Sequence, residues 1–223
     1  LLYDDAQSIY SKKKQLDFSL SSVGIQARGR TTVLKLNYRN TEEILTFAYR
    51  FATNYLKAEE KDEDHVPLIE PHSAGRHGPK PAVKLHADFQ QEVRYIARIF
   101  RRMHDELEIP WEDFCVTYRT NWMGDIFQKV FRTENIPFQC LGTSKAKKGL
   151  KMKDQSVKLM TMHSSKGLEF AVVAVSGIGD MPIKNTEPAD EAKLLYVAMT
   201  RATEKLLVTS HRENEFFQQL QKM

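Results

Sequence analysis

Short runs rich in β-branched residues alternate with stretches whose apolar residues recur every three to four positions, from residue 31 almost to residue 223. Few folds accept that alternation, and the one it favours is a mostly parallel sheet with helices on both faces. TTVLKLNYR (31–39) reads as a strand. Asn40 and Glu43 then make a capping-box pattern, and Ile44, Leu45, Ala48, Phe51, Ala52, Tyr55 and Leu56 share one helical face. AVKLHA (82–87) precedes a helix with Phe89, Val93, Ile96, Ala97, Phe100, Met103 and Leu107 in register. FCVTYR (114–119) precedes another near 122–134, with Ile126, Phe127, Val130 and Phe131 inward. PFQCLG (137–142), VKLM (157–160), AVVAVSG (171–177) and KLLVTS (205–210) are the remaining strands. A helix begins around Thr186, Pro188 and Asp190, Pro188 suiting its first turn, and residues 213–223 form a terminal one.

Between these elements, residues 58–81 hold the acidic run EEKDED and four prolines, and read as an exposed connection. Residues 143–158 carry six lysines and one acid with little periodicity, either a solvated loop or a phosphate-facing one. The most informative stretch is TMHSSKGLEF (161–170), a polar, glycine-containing corner between two buried strands. Open α/β sheets place their ligand chemistry at such strand ends.

Composition narrows the class. At 41% hydrophobic and 28% charged, no apolar run approaches membrane-spanning length. The opening LLYDDAQSIYSKKK has acids where a secretory signal needs a basic region. Cys115 and Cys140 lack metal or CxxC spacing, which points to a reducing, cytoplasmic setting and no metal site. A net charge of +4 permits a polyanionic partner without requiring one. The chain starts mid-strand without methionine, as a C-terminal fragment of something longer would.

Four clusters sit where expected elements end: QSIY (7–10), NYR (37–39), TMHSSKGLEF and YVAMTRA (196–202). In this order, with VTYRTN (116–121) between, they resemble the ordered motifs of the C-terminal motor half of superfamily-1 helicases of the UvrD/Rep/PcrA type. The resemblance implies a RecA-like three-layer α/β/α domain over 31–223, of the P-loop NTPase helicase type. Residues 1–30 would be a motif remnant and linker, and an accessory domain would be reduced to the loop near 143–158. It also implies the C-terminal half of an ATP-dependent DNA helicase or translocase, with DNA repair as a setting and nucleoid association if bacterial.

Residue by residue, the resemblance makes Arg39 and Arg201 the cations that meet charge on the γ-phosphate, where a permanently charged, bidentate guanidinium is suited. Gln7 would sense that phosphate or orient water. Tyr38 would stack on the adenine ring, Glu169 would accept from the ribose hydroxyls, and Gly167 would permit close backbone approach. Thr161 and His163 would contact the backbone of a single DNA strand, with Tyr10, Arg119 and Asn121 as further candidates. Single-stranded or tailed duplex DNA and an N-terminal RecA-like domain are the implied partners.

Two departures stand out. SIYSKKKQLDF (8–18) has lysines where the family carries a base-stacking tryptophan, and Lys12, Lys13 and Lys14 could hold phosphates instead. The chain also has no Gly-Lys dipeptide, hence no phosphate-cradling P-loop, so ATP and Mg²⁺ would be held mainly by an N-terminal half and this chain alone would be inactive. A non-catalytic nucleic-acid-binding or regulatory module of the same fold is the alternative. An unrelated Rossmann-like domain is a weaker one, since no GxGxxG follows any strand.

Overall fold

Strands of four to nine residues, largely apolar where they are buried, assemble with the intervening helices as the alternation requires. The computed structural model describes residues 36–55, 72–141 and 154–223. In chain order they form β1 (Leu36–Asn37), α1 (Glu42–Thr53), β2 (His72–Ser73), β3 (Ala82–Leu85), α2 (Phe89–Leu107), β4 (Phe114–Tyr118), α3 (Asn121–Thr133), β5 (Phe138–Leu141), β6 (Val157–Thr161), β7 (Phe170–Ser176), α4 (Pro188–Met199), β8 (Ala202–Ser210) and α5 (Glu215–Gln221). Six strands pair in parallel in the order β3-β8-β7-β4-β6-β5. Helices α1, α4 and α5 cover one face over a core that includes Ile44, Phe51, Leu195 and Phe216. Helices α2 and α3 cover the other, over Phe100, Phe114, Phe127 and Phe131. All five residues of central β4 are buried, as a parallel strand covered on both sides demands.

Three sequence expectations change. The described part of 31–39 does not join the six-stranded sheet: β1 is two residues long and pairs only with β2, drawing residues 72–73 out of the expected exposed connection. The capping box at Asn40 and Glu43 does not form. Thr41 is the N-cap of α1, the Glu43 carboxylate accepts from Gly78 N at 2.8 Å, and Asn40 turns to another strand altogether. The apolar stripe of α2 outlasts its core, so Phe89 to Phe100 are buried while Leu107 is exposed.

Residues 162–169 are more than a corner. β6 and β7 lie on opposite sides of β4 and run parallel to it. Thr161 is level with Tyr118 at the carboxyl end of β4, whereas Val172 is level with Phe114 at its amino end. The segment therefore crosses the sheet from one edge to the other, in fewer residues than the usual crossover between parallel strands. A 3-10 turn at Met162–Ser165 and a left-handed Gly167 (φ 83°) make the tight path.

Candidate functional site

The expected site residues separate into two groups, one at each edge of the sheet. At the carboxyl edge, Thr161 ends β6 and caps the 3-10 turn, its hydroxyl accepting from Ser164 N at 3.2 Å. His163 sits half-buried in that turn, and burial, followed by the neighbouring Arg119 guanidinium, holds its pKa below the ordinary value. Arg119, just past β4, grips Glu191 at the start of α4 through Nε (2.8 Å) and Nη2 (2.7 Å). Asn121 opens α3 with its side chain exposed.

At the amino edge, an Asx turn displays Tyr38 and Arg39. Asn37 Oδ1 accepts from Arg39 N (2.7 Å) and Asn40 N (3.0 Å), leaving Tyr38 70% exposed. Arg39 Nε pairs with Glu169 Oε1 at 2.9 Å. Arg201 follows α4 and is buried, donating to the carbonyls of Val197 (2.9 Å) and Leu168 (3.3 Å). Residues 168 and 169 thus receive one arginine each. Asn40, also buried, locks the turn in place, its Nδ2 donating to Thr200 O (3.0 Å) and Ala202 O (2.6 Å) on either side of Arg201. At Gly167 an added Cβ would meet nothing within 4 Å, so its left-handed backbone, rather than crowding within the described chain, calls for glycine.

Helix α4 joins the two groups. Its twelve residues, Pro188–Met199, span about 18 Å at 1.5 Å each and lead from Glu191 in the first turn at the carboxyl edge to Thr200 and Arg201 just past the last turn at the amino edge. The 161–170 segment makes the same traverse on the chain's other branch. Gln7, Tyr10 and Lys12 to Lys14 lie outside the described residues, as do 142–153 of the lysine-rich stretch. Lys158, the last lysine of that stretch, is in β6 and buried, donating to Ser156 O at 2.8 Å and Asp154 O at 2.9 Å.

The family model of the UvrD-like helicase C-terminal domain matches residues 32–146 and 143–213, which takes in both edges. The chain belongs to this family. Among similar proteins is a "Probable DNA helicase" of Mycoplasma pneumoniae, 26% identical over 78% of this chain and 31% of that protein. A "Probable DNA helicase II homolog" of Mycoplasma capricolum is 24% identical over 81% of this chain and 24% of that protein. The chain thus spans about a third or less of the length of these relatives. An "ATP-dependent DNA helicase Rep" of Buchnera aphidicola is 48% identical over a shorter stretch, 24% of this chain and 9% of that protein. The crystal structure of the C-terminal domain of a possible DNA helicase from Lactobacillus plantarum WCFS1 has the same fold, with a TM-score of 0.59, 18% identity, and coverage of 82% of this chain and 94% of that one.

Within this UvrD-like domain, three features escape the sequence. Asn40 reads as a helix cap and acts as an inter-segment tie. Glu191 reads as a helix-dipole acid in a first turn, and only the fold brings it to Arg119. Glu92, fully buried in α2, accepts from Ser176 Oγ, Gly177 N and Thr209 Oγ1 and meets His211 Nδ1 at 3.1 Å, tying α2 to the carboxyl ends of β7 and β8. A buried glutamate on the apolar face of a helix was its one signal. Among the described residues no cluster of three or more His, Cys, Asp or Glu could hold a metal ion, and no helix is long and apolar enough to cross a membrane.

Proposed function

We propose that this domain forms one wall of an ATP cleft at the amino edge of its sheet and a grip on single-stranded DNA at the carboxyl edge, as part of an ATP-driven helicase or translocase. The observation that carries the reading is the 161–170 segment, which runs from Thr161 and His163 at one edge to Gly167 and Glu169 at the other. The names of the relatives, DNA helicases and an ATP-dependent one among them, support the substrates.

The residues present fit a nucleotide on three counts. Tyr38 offers an open aromatic face, Arg39 an exposed guanidinium, and Gly167 free space beside its backbone. ATP supplies the phosphoanhydride whose cleavage drives movement. Tyr38 would hold the base by stacking, and Arg39 and Arg201 would oppose negative charge on the phosphates. Release of Arg39 from Glu169 would free both for this purpose, the carboxylate toward ribose hydroxyls. At the far edge, Thr161, His163 and Asn121 would hold a sugar-phosphate backbone without reading bases. Rearrangement at either end of a segment this short transmits strain to the other. Among the described residues no cluster of three or more His, Cys, Asp or Glu stands ready to hold Mg²⁺.

The purified 223-residue chain should bind single-stranded oligonucleotides with an affinity that falls as salt rises, and should hydrolyse no ATP by itself, since no Gly-Lys dipeptide is present. Binding indifferent to salt, or steady-state turnover by the chain alone, would overturn the reading.

A further inference from the structure

The chain's two tryptophans are treated very differently by the fold. Trp111 is buried at 9% exposure and stacked on His104 at 4.1 Å. Trp122 is 45% exposed, although it stands in the first turn of α3, directly after Asn121 and three residues beyond Arg119. It is therefore at the carboxyl edge of the sheet, on the loop side of β4, among the residues proposed to hold a strand.

Its placement is rigid. Met123 beside it is fully buried, and Gly124 lies so close over Tyr118 that a Cβ there would fall 2.4 Å from the phenol oxygen. This close approach seats the first turn of α3 on the end of β4, and any larger residue at 124 would lift it. The Trp122 ring meets Phe89 edge to face, with centroids 4.9 Å apart and planes at 62°. That contact fixes the indole orientation and covers only part of it. Nearby, the Thr120 hydroxyl oxygen is buried without a hydrogen-bond partner among the described residues, so the same turn holds polar capacity unused by the fold.

We propose that Trp122 is a base-stacking subsite: an unpaired nucleobase of the single strand lies on its open indole face while Asn121 and the start of α3 meet the adjoining backbone. A rigid aromatic beside polar backbone contacts is the arrangement that holds single strands without sequence preference, because every base has a π-face. This rests on the DNA-grip reading above and adds a specific contact to it. The base, rather than the phosphate, is what the indole recognises.

The test uses the 223-residue chain carrying Trp111→Phe, which leaves Trp122 as its only indole emitter. Oligothymidylate and an abasic strand of equal length, each end-labelled, are titrated in, with strand anisotropy reporting binding and indole emission reporting stacking. Oligothymidylate should quench Trp122 and the abasic strand should not. Trp122→Ala should weaken oligothymidylate binding at least about fivefold and leave abasic binding unchanged, while Trp122→Phe retains most of the affinity. Binding by anisotropy with no quenching and no loss in Trp122→Ala would overturn the stacking subsite and leave the DNA grip standing. No anisotropy change with either strand would overturn both.

Discussion

Arg119 at one edge of the sheet and Arg39 at the other each pair with a carboxylate, and these two pairs live in opposite surroundings. Arg119 and Glu191 have side chains 15% and 4% exposed and share two short hydrogen bonds. Arg39 and Glu169 are 61% and 38% exposed and share one contact at 2.9 Å. A desolvated, bidentate pair is held because neither charge has water to return to. An open pair is worth little and exchanges readily. The carboxyl-edge pair is therefore architecture, pinning the start of α4 to the end of β4. The amino-edge pair is a holding contact that a stronger anion can replace. Arg119, a candidate DNA contact by resemblance, has its guanidinium fork already engaged, whereas Arg39 is placed to change partners.

The contrast can be broken most sharply at Arg201. In the ATP-driven enzyme proposed above, Arg201→Ala should lower ATP turnover by about 10³-fold or more, and a loss under about tenfold would remove it from the phosphate-facing role. Urea unfolding of the same variant separates this from the loss of its bonds to Val197 O and Leu168 O. Next comes the pair comparison itself. Glu191→Ala strands a buried guanidinium and should cost about 3–5 kcal/mol in urea unfolding, against less than about 1 kcal/mol for Glu169→Ala. Equal effects would dissolve the distinction between the edges.

Asn40→Ala should cost about 1–3 kcal/mol, because Thr200 O and Ala202 O lose their donor in a buried place. A helix-cap role would predict instead that Asn40→Asp is well tolerated. The carboxylate cannot donate to two carbonyls, so that variant should be as damaging as alanine.

The smallest effect is that of His163. Its folded pKa is depressed from 6.5 by burial and by Arg119, with Glu191 opposing. Above 6.5 neither state binds the proton and the contribution to stability is complete. As pH falls from 6.5 toward the lower folded value, the unfolded chain protonates first and stability declines. His163→Gln should flatten that slope in urea midpoints measured across the window, and an unchanged slope would show that His163 does not set it.

How much was legible without coordinates follows from the range of each interaction. Every described strand of the main sheet, with α1, α2 and α3, announces itself in short-range apolar patterning, α4 shows itself by Pro188 in its first turn, and five ordered motifs carry the family. Where a polar side chain had a local and a distant partner to choose from, sequence favoured the local one. Asn40 pairs in sequence with Glu43 but in space with residues 160 and more positions away. Glu92 looks like an error in an apolar stripe until β7 and β8 bring it four partners. Gly167 reads by resemblance as a site of close approach, and the structure adds a positive φ that by itself calls for glycine.

For this domain, the sequence by itself determined the layered α/β class, the family and the residue types available for phosphate and strand contacts, because periodicity and motifs are written within a few positions. Only the tertiary structure decided that TMHSSKGLEF crosses the sheet rather than turning at one end. That outcome depends on β4 inserting between β6 and β7, a pairing between distant strands that no local pattern encodes. The same long-range packing set which arginine is buried with a carboxylate and which is left open to water.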